Sequence, residues 1–121
     1  MENPDVATSS LLLIGFHHEY LGYLKTASKD SVERLFFSDD GNCSWLSDIK
    51  VALTALAIDA DRCPNYGPSL ILDLNARGLV VESTRVVVKT NNGITGFLQQ
   101  LRTAGATDII SSNPTLAELI V

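Results

Sequence analysis

Asp73 is the first residue whose position could do chemistry, because it closes the apolar run Ser69-Leu70-Ile71-Leu72-Asp73-Leu74-Asn75. A short apolar run between Pro68 and Asn75/Gly78 reads as a fully buried parallel strand. In an open α/β sheet, ligands collect outside the carboxyl ends of such strands. Asp73 is therefore either a site residue or a cap for the next loop through backbone N–H groups. Thr90 ends a second run, Arg85-Val86-Val87-Val88-Lys89, and Ser112 follows a third, Thr107-Asp108-Ile109-Ile110-Ser111. The remaining candidates carry less. His17 and His18 are adjacent, so on a helix they point about 100° apart and cannot chelate one ion. Cys43 and Cys63 belong to no CxxC or Cys/His cluster and read as structural or surface thiols. Asp39-Asp40 reads as a solvated turn, Trp45 as a packing residue at a helix start, and Asn91-Asn92-Gly93 as a plain helix opening. No nucleophile elbow, phosphate-binding loop or dinucleotide fingerprint is present, so nothing argues for an enzyme.

The elements that must position these groups alternate. Ser10-Leu11-Leu12-Leu13-Ile14-Gly15 is a buried-strand pattern, and Tyr20, Leu21 and Leu24 set a helical spacing over 17–27. Residues 32–37 predict a second strand. The set Leu46, Ile49, Leu53, Leu56 and Ala57 predicts a helix capped at Asn42 or Ser44 and ending before Asp61. The strand at 69–75 follows. Only about ten residues then separate Leu74 from Arg85, the lower limit for a helical crossover. Leu79-Val80-Val81 there reads either as a degenerate helical turn or as a short extra strand. The strand at 85–90 leads to a helix with Ile94, Phe97, Leu98 and Leu101 on one face, ended by Gly105. A fifth strand at 107–111 precedes Asn113-Pro114, a strong helix start, and the stripe Leu116, Leu119 and Ile120. Five alternations imply an α/β domain with a parallel sheet covered on both faces.

Bulk properties narrow the class. The 121 residues, 45% hydrophobic, suffice for one core and one domain. A net charge of −5 with nine dispersed basic residues argues against direct nucleic-acid binding. No apolar run nears the roughly 20 residues of a membrane span, and the start lacks a basic leader, so a cytoplasmic chain is expected.

The ordered set of motifs resembles response-regulator receiver domains of the NarL/FixJ (LuxR-type) group. Leu11-Leu12-Leu13-Ile14-Gly15-Phe16-His17-His18 is similar to the first strand, acid pair and following His. Leu70-Ile71-Leu72-Asp73-Leu74-Asn75 is similar to the phospho-acceptor strand, and Val86-Val87-Val88-Lys89-Thr90 to the fourth strand with its switch hydroxyl. Gly105-Ala106-Thr107-Asp108-Ile109-Ile110-Ser111-Ser112 is similar to the fifth strand, and Leu116-Ala117-Glu118-Leu119-Ile120 to the start of the last helix. The resemblance implies a CheY-like doubly wound five-stranded parallel sheet of order 2-1-3-4-5, its third helix short or missing. It places Gly15 and Phe16 where two acids hold Mg²⁺, and Ser112 where a lysine pairs with the phosphoryl group. The implied pocket is then a degenerate one of Asp73, Thr90, Ser112, Gly15 and Phe16, with no cofactor and no metal.

An alternative register takes Leu35-Phe36-Phe37-Ser38-Asp39-Asp40 as the receiver opening, which would restore the acid pair. On the main register the expectation is a pseudo-receiver spanning 1–121, the N-terminal part of a longer regulator whose DNA-binding domain lies outside this chain. It would dimerise through Tyr20, Leu21, Leu24, Leu116, Leu119 and Ile120 and take its control from a regulatory protein or small ligand. A small-ligand sensor built on the same pocket, and a conventional phosphorylated receiver, are the competing expectations.

Overall fold

The computed structural model describes residues 10–27, 34–38, 52–61, 67–91 and 93–120. Its elements are β1 (Ser10–Ile14), α1 (His18–Ala27), β2 (Arg34–Ser38), β3 (Ala55–Asp59), α2 (Gly67–Ala76), β4 (Arg85–Lys89), α3 (Thr95–Ala104), β5 (Asp108–Ile110) and α4 (Leu116–Ile120). All five strands run parallel in the order β2-β1-β3-β4-β5. The doubly wound sheet expected from the sequence is present.

Two assignments around its centre are corrected. The run carrying Asp73 is not a strand; it lies in helix α2. Its burial explains why. Leu70, Ile71 and Leu74 are buried at helical spacing, while Leu72 between them is 55% exposed. A strand in the middle of this sheet would bury its side chains on both faces. Pro68 stands in the first turn, where a missing N–H costs the helix nothing.

The central strand is instead Ala55-Leu56-Ala57-Ile58-Asp59, of which Leu56 and Ala57 were expected at the end of a helix. Leu46 and Ile49, the earlier members of that helical set, lie outside the described residues, as do Asp39, Asp40, Cys43, Trp45 and Cys63. Every residue of β3 is buried, and its side chains alternate between two cores. Leu56 and Ile58 join Leu12, Ile14, Ile71, Leu74, Val86, Val88 and Leu101 on one face. Ala55 and Ala57 join Leu11, Leu13, Phe16, Tyr20, Leu24 and Leu119 on the other. That period of two is the strand signature.

The β3–β4 connection therefore carries the ten-residue α2, located earlier in the chain than the short or missing third helix had been expected. Leu79-Val80-Val81 is neither strand nor helical turn. The N–H groups of Leu79 and Val80 both donate to the Leu74 carbonyl, after a left-handed Gly78 (φ 79°). This C-terminal wrap closes α2 and tucks Leu79 and Val80 into the first core. Thr84 then donates its hydroxyl to the Leu53 carbonyl at 2.7 Å, joining the entries of β4 and β3.

The alternative register is excluded by the topology. Arg34–Ser38 is β2, which among the described strands pairs with β1 alone, and β1 precedes it.

Candidate functional site

The carboxyl ends of β1, β3, β4 and β5 converge on one edge of the sheet, and three of them bring polar side chains there. β3 ends in Asp59 and continues through Ala60 to Asp61. Its neighbour β4 ends in Lys89 and continues through Thr90 to Asn91. The register pairs Asp59 with Lys89, and Ala60 extends the ladder by donating its N–H to the Lys89 carbonyl at 2.9 Å. Thr90 in turn donates its N–H to Ile110 of β5 at 2.8 Å. The sheet hydrogen bonds thus fix the relative height of the acid, lysine and hydroxyl.

Asp59 is 2% exposed and is the most buried charged residue described. An ionised carboxylate at such a site requires partners. Lys89 Nζ lies 3.4 Å from Oδ2, and the Asp61 N–H donates to Oδ1 at 3.1 Å. Asp61 is exposed, yet its carboxylate is engaged as fully. Oδ1 accepts the Thr90 hydroxyl at 2.8 Å, and Oδ2 accepts the Asn91 N–H at 2.9 Å and Asn91 Nδ2 at 3.1 Å. Both acids, Asp59 at the end of β3 and Asp61 just after it, are turned onto protein donors.

β1 contributes differently. Gly15 adopts φ 85°, a conformation that favours glycine, and its N–H donates to the Ser38 carbonyl of β2 at 2.8 Å. Phe16 is 2% exposed, with its ring centroid 4.9 Å from that of Tyr20. The end of β1 therefore feeds the second core instead of the edge. Neither residue has a side-chain oxygen. Among the described residues no group of three or more His, Cys, Asp and Glu side chains converges as a metal site would.

The residues expected to form one pocket are distributed over three settings. Thr90 and Ser112 line one open groove of about 480 Å³, together with Asn91, Gly93, Ser111 and Glu118. Asp73 is not part of it. It is exposed on α2 and pairs with Arg77 one turn on, at 3.2 Å. Gly15 and Phe16 belong to the β1–α1 turn. A larger groove, about 600 Å³, lies between α2 and α3 against Leu72, Gly96 and Thr103. It holds no titratable side chain and none of its lining residues belongs to the acid–lysine group, so the strand ends remain the candidate site.

The expected interface residues are mostly interior. Tyr20, Leu21, Leu24 and Leu119 are buried in the second core, and Leu116 packs half-buried against it. Tyr20 also donates its hydroxyl to the Pro114 carbonyl at 2.6 Å, which ties α1 to the approach to α4. Burial pushes the Tyr20 hydroxyl well above the usual phenol range, with smaller contributions from Tyr23 and Glu118.

Asp59, Asp61 and Lys89 escaped the reading of the sequence. The signal was present as an acid ending the apolar run Ala55-Leu56-Ala57-Ile58, just ahead of the turn-rich Cys63-Pro64-Asn65-Tyr66-Gly67.

No family model and no curated protein matches this chain. Solved structures do. A signal receiver domain of an HD domain-containing protein from Pseudomonas fluorescens Pf-5 superposes with a TM-score of 0.64 at 15% identity, over 84% of this chain and 80% of that one. The isolated receiver domain of RcsB from Salmonella enterica serovar Typhimurium, in the presence of the phosphomimetic BeF3⁻, gives 0.62 at 14% identity over 93% and 83%. RcsB from the same organism bound to the rprA promoter gives 0.60 at 16% identity, covering 89% of this chain but 63% of that one. The chain has the fold of response-regulator receiver domains.

Proposed function

We propose that this chain is a receiver-like regulatory module that works by protein interaction and is not switched by Mg²⁺-dependent aspartyl phosphorylation. The observation that carries the reading is the state of Asp59. By strand order it holds the receiver acceptor position that the sequence resemblance had given to Asp73, and it is buried against Lys89 and the Asp61 N–H. Mg²⁺ needs several oxygen ligands, usually carboxylates. The end of β1 offers Gly15 and a buried Phe16, and the Asp61 carboxylate is already bonded to Thr90 and Asn91. These residues do not fit the ion. Lys89 is already paired with the Asp59 carboxylate, so without Mg²⁺ the further charge building up on a phosphoryl group there would be only partly compensated.

The promoter-bound RcsB neighbour supports placing the module in a transcriptional regulator, with DNA contacts made by a separate domain. Self-association through α1 and α4 is retained in the proposal. The contacts fall on exposed residues such as Tyr23, since Tyr20, Leu21, Leu24 and Leu119 pack inside. Sedimentation equilibrium tests this: Tyr23→Glu is expected to shift a dimer to monomer, and a monomeric native chain would refute the pairing.

A second reading is favoured by one observation, the alignment of Asp59, Lys89 and Thr90 along two neighbouring strand ends. It is a conventional phosphorylated receiver with Asp59 as acceptor. Incubation with acetyl phosphate and Mg²⁺, followed by intact-mass measurement, separates the two. No adduct is expected. A stoichiometric phosphoryl adduct that disappears in Asp59→Asn would establish the second reading instead.

A further inference from the structure

The Asp61 carboxylate lies in the loop after β3, but its three donors come from the loop after β4, 29 and 30 residues further along the chain. The Thr90 hydroxyl, the Asn91 N–H and the Asn91 side-chain amide surround it. An anion arriving from solvent would use the same donors. Downstream, Gly93 and Ile94 lead into α3, which starts at Thr95. Ile94 stands at the cap position, provides no side-chain cap and is 67% exposed. The Asp61 contacts lie just upstream of the start of α3.

We propose that Asp61 is a built-in anionic ligand of Thr90 and Asn91, fixing the exit of β4 and, through it, the first turn of α3 with no external effector. The inference deepens the function proposed above and rests on it, because it takes the strand ends as closed to phosphoryl chemistry. In this reading the α3 face with Ile94 is presented constantly. Any control over it comes from a partner that competes for Thr90 and Asn91 or from the amount of protein.

Amide hydrogen exchange on the full chain tests it. Asp61→Ala is expected to speed exchange at Asn91 and Leu98 by about tenfold or more, the effect of losing hydrogen bonds to a charged acceptor. Val86, Val87 and Val88 in β4 should keep their native rates. Asp61→Asn retains the shape and one acceptor oxygen, so it should fall between. Sodium acetate should restore slow exchange in Asp61→Ala by filling the emptied position, whereas sodium chloride at equal ionic strength should not. Unchanged rates at Asn91 and Leu98 in both variants overturn the proposal. Equal restoration by chloride does so too, as does equal acceleration at Val86, Val87 and Val88 in both variants. The outcomes are separable from those of the phosphodonor experiment. An Asp59 adduct would remove the functional reading while leaving these rates as expected, and unchanged rates without an adduct would remove the latch alone.

Discussion

Asp59 and Asp73 each pair with one basic side chain, and the shorter pair is the weaker. Asp73 and Arg77 meet at 3.2 Å on the surface of α2, with side chains 51% and 41% exposed. Asp59 and Lys89 meet at 3.4 Å, with side chains 2% and 20% exposed. Water and salt screen the first pair, and the long Arg77 side chain loses rotamer freedom to form it. The second has little water to fall back on, so losing either partner strands the other. Distance is a poor guide to importance here; burial decides.

The largest effect should come from breaking the buried pair. Lys89→Met keeps the aliphatic stem and removes the charge, leaving Asp59 with fewer donors. Fully buried pairs lose roughly 3–5 kcal/mol on such a change. Lys89 retains some contact with water and Asp59 keeps the Asp61 N–H, so a loss of about 2 kcal/mol is expected. Urea denaturation should show a lower midpoint at unchanged slope. A midpoint equal to the native one would put the two pairs on the same footing and break the contrast.

The same contrast explains what could be read from the sequence. β4 was legible because consecutive β-branched residues, Val86-Val87-Val88, lose rotamer freedom in a helix, whereas the Leu-rich run of β1 is by itself no more diagnostic than that of α2. The region from β3 to α2 was not legible. Ala55 and Ala57 give the central strand a helix-like composition, while Leu70-Ile71-Leu72 gives the helix a strand-like run. Tertiary context overrode both local preferences. Two alanines face the core that holds Phe16 and Tyr20, and Leu72 is left outward on α2. The fold class survived the exchange because it swapped neighbouring elements without altering how many strands alternate with helices. The exchange moved the residues, since Asp73 lies on the surface of α2 and Asp59 at the end of β3, while Thr90 stays at a strand end because β4 lies where its strand was expected.

A middle-sized effect tests the second core. Tyr20→Phe removes the hydroxyl that donates to Pro114, which should cost about 1 kcal/mol at neutral pH. The pH dependence has a definite sign. The folded-state value of Tyr20 is raised above the unfolded value of about 10, so folding favours the neutral phenol. Its contribution is complete below about pH 10 and is lost as the pH climbs above that toward the folded-state value. Thermal unfolding followed from pH 8 to 11 should therefore show the native chain and Tyr20→Phe converging at the alkaline end. Parallel curves would place the hydroxyl in water instead of in the core.

The smallest effect belongs to the exposed pair, and it sharpens the comparison most. Asp73→Ala removes a surface ion pair whose expected worth is at most about 0.5 kcal/mol. Alanine also has a higher helix propensity than aspartate, which offsets part of that loss. The net change in the urea midpoint should lie near zero. In about 1 M sodium chloride, where screening extends over roughly 3 Å, the remaining ionic contribution should vanish. Lys89→Met, measured in the same salt, should keep most of its deficit because salt reaches the Asp59 carboxylate poorly. A deficit that salt erases in both variants would mean that Asp59 is as wet as Asp73. The strand end would then be open to ions, and the case against a cation beside Asp59 would fail with it.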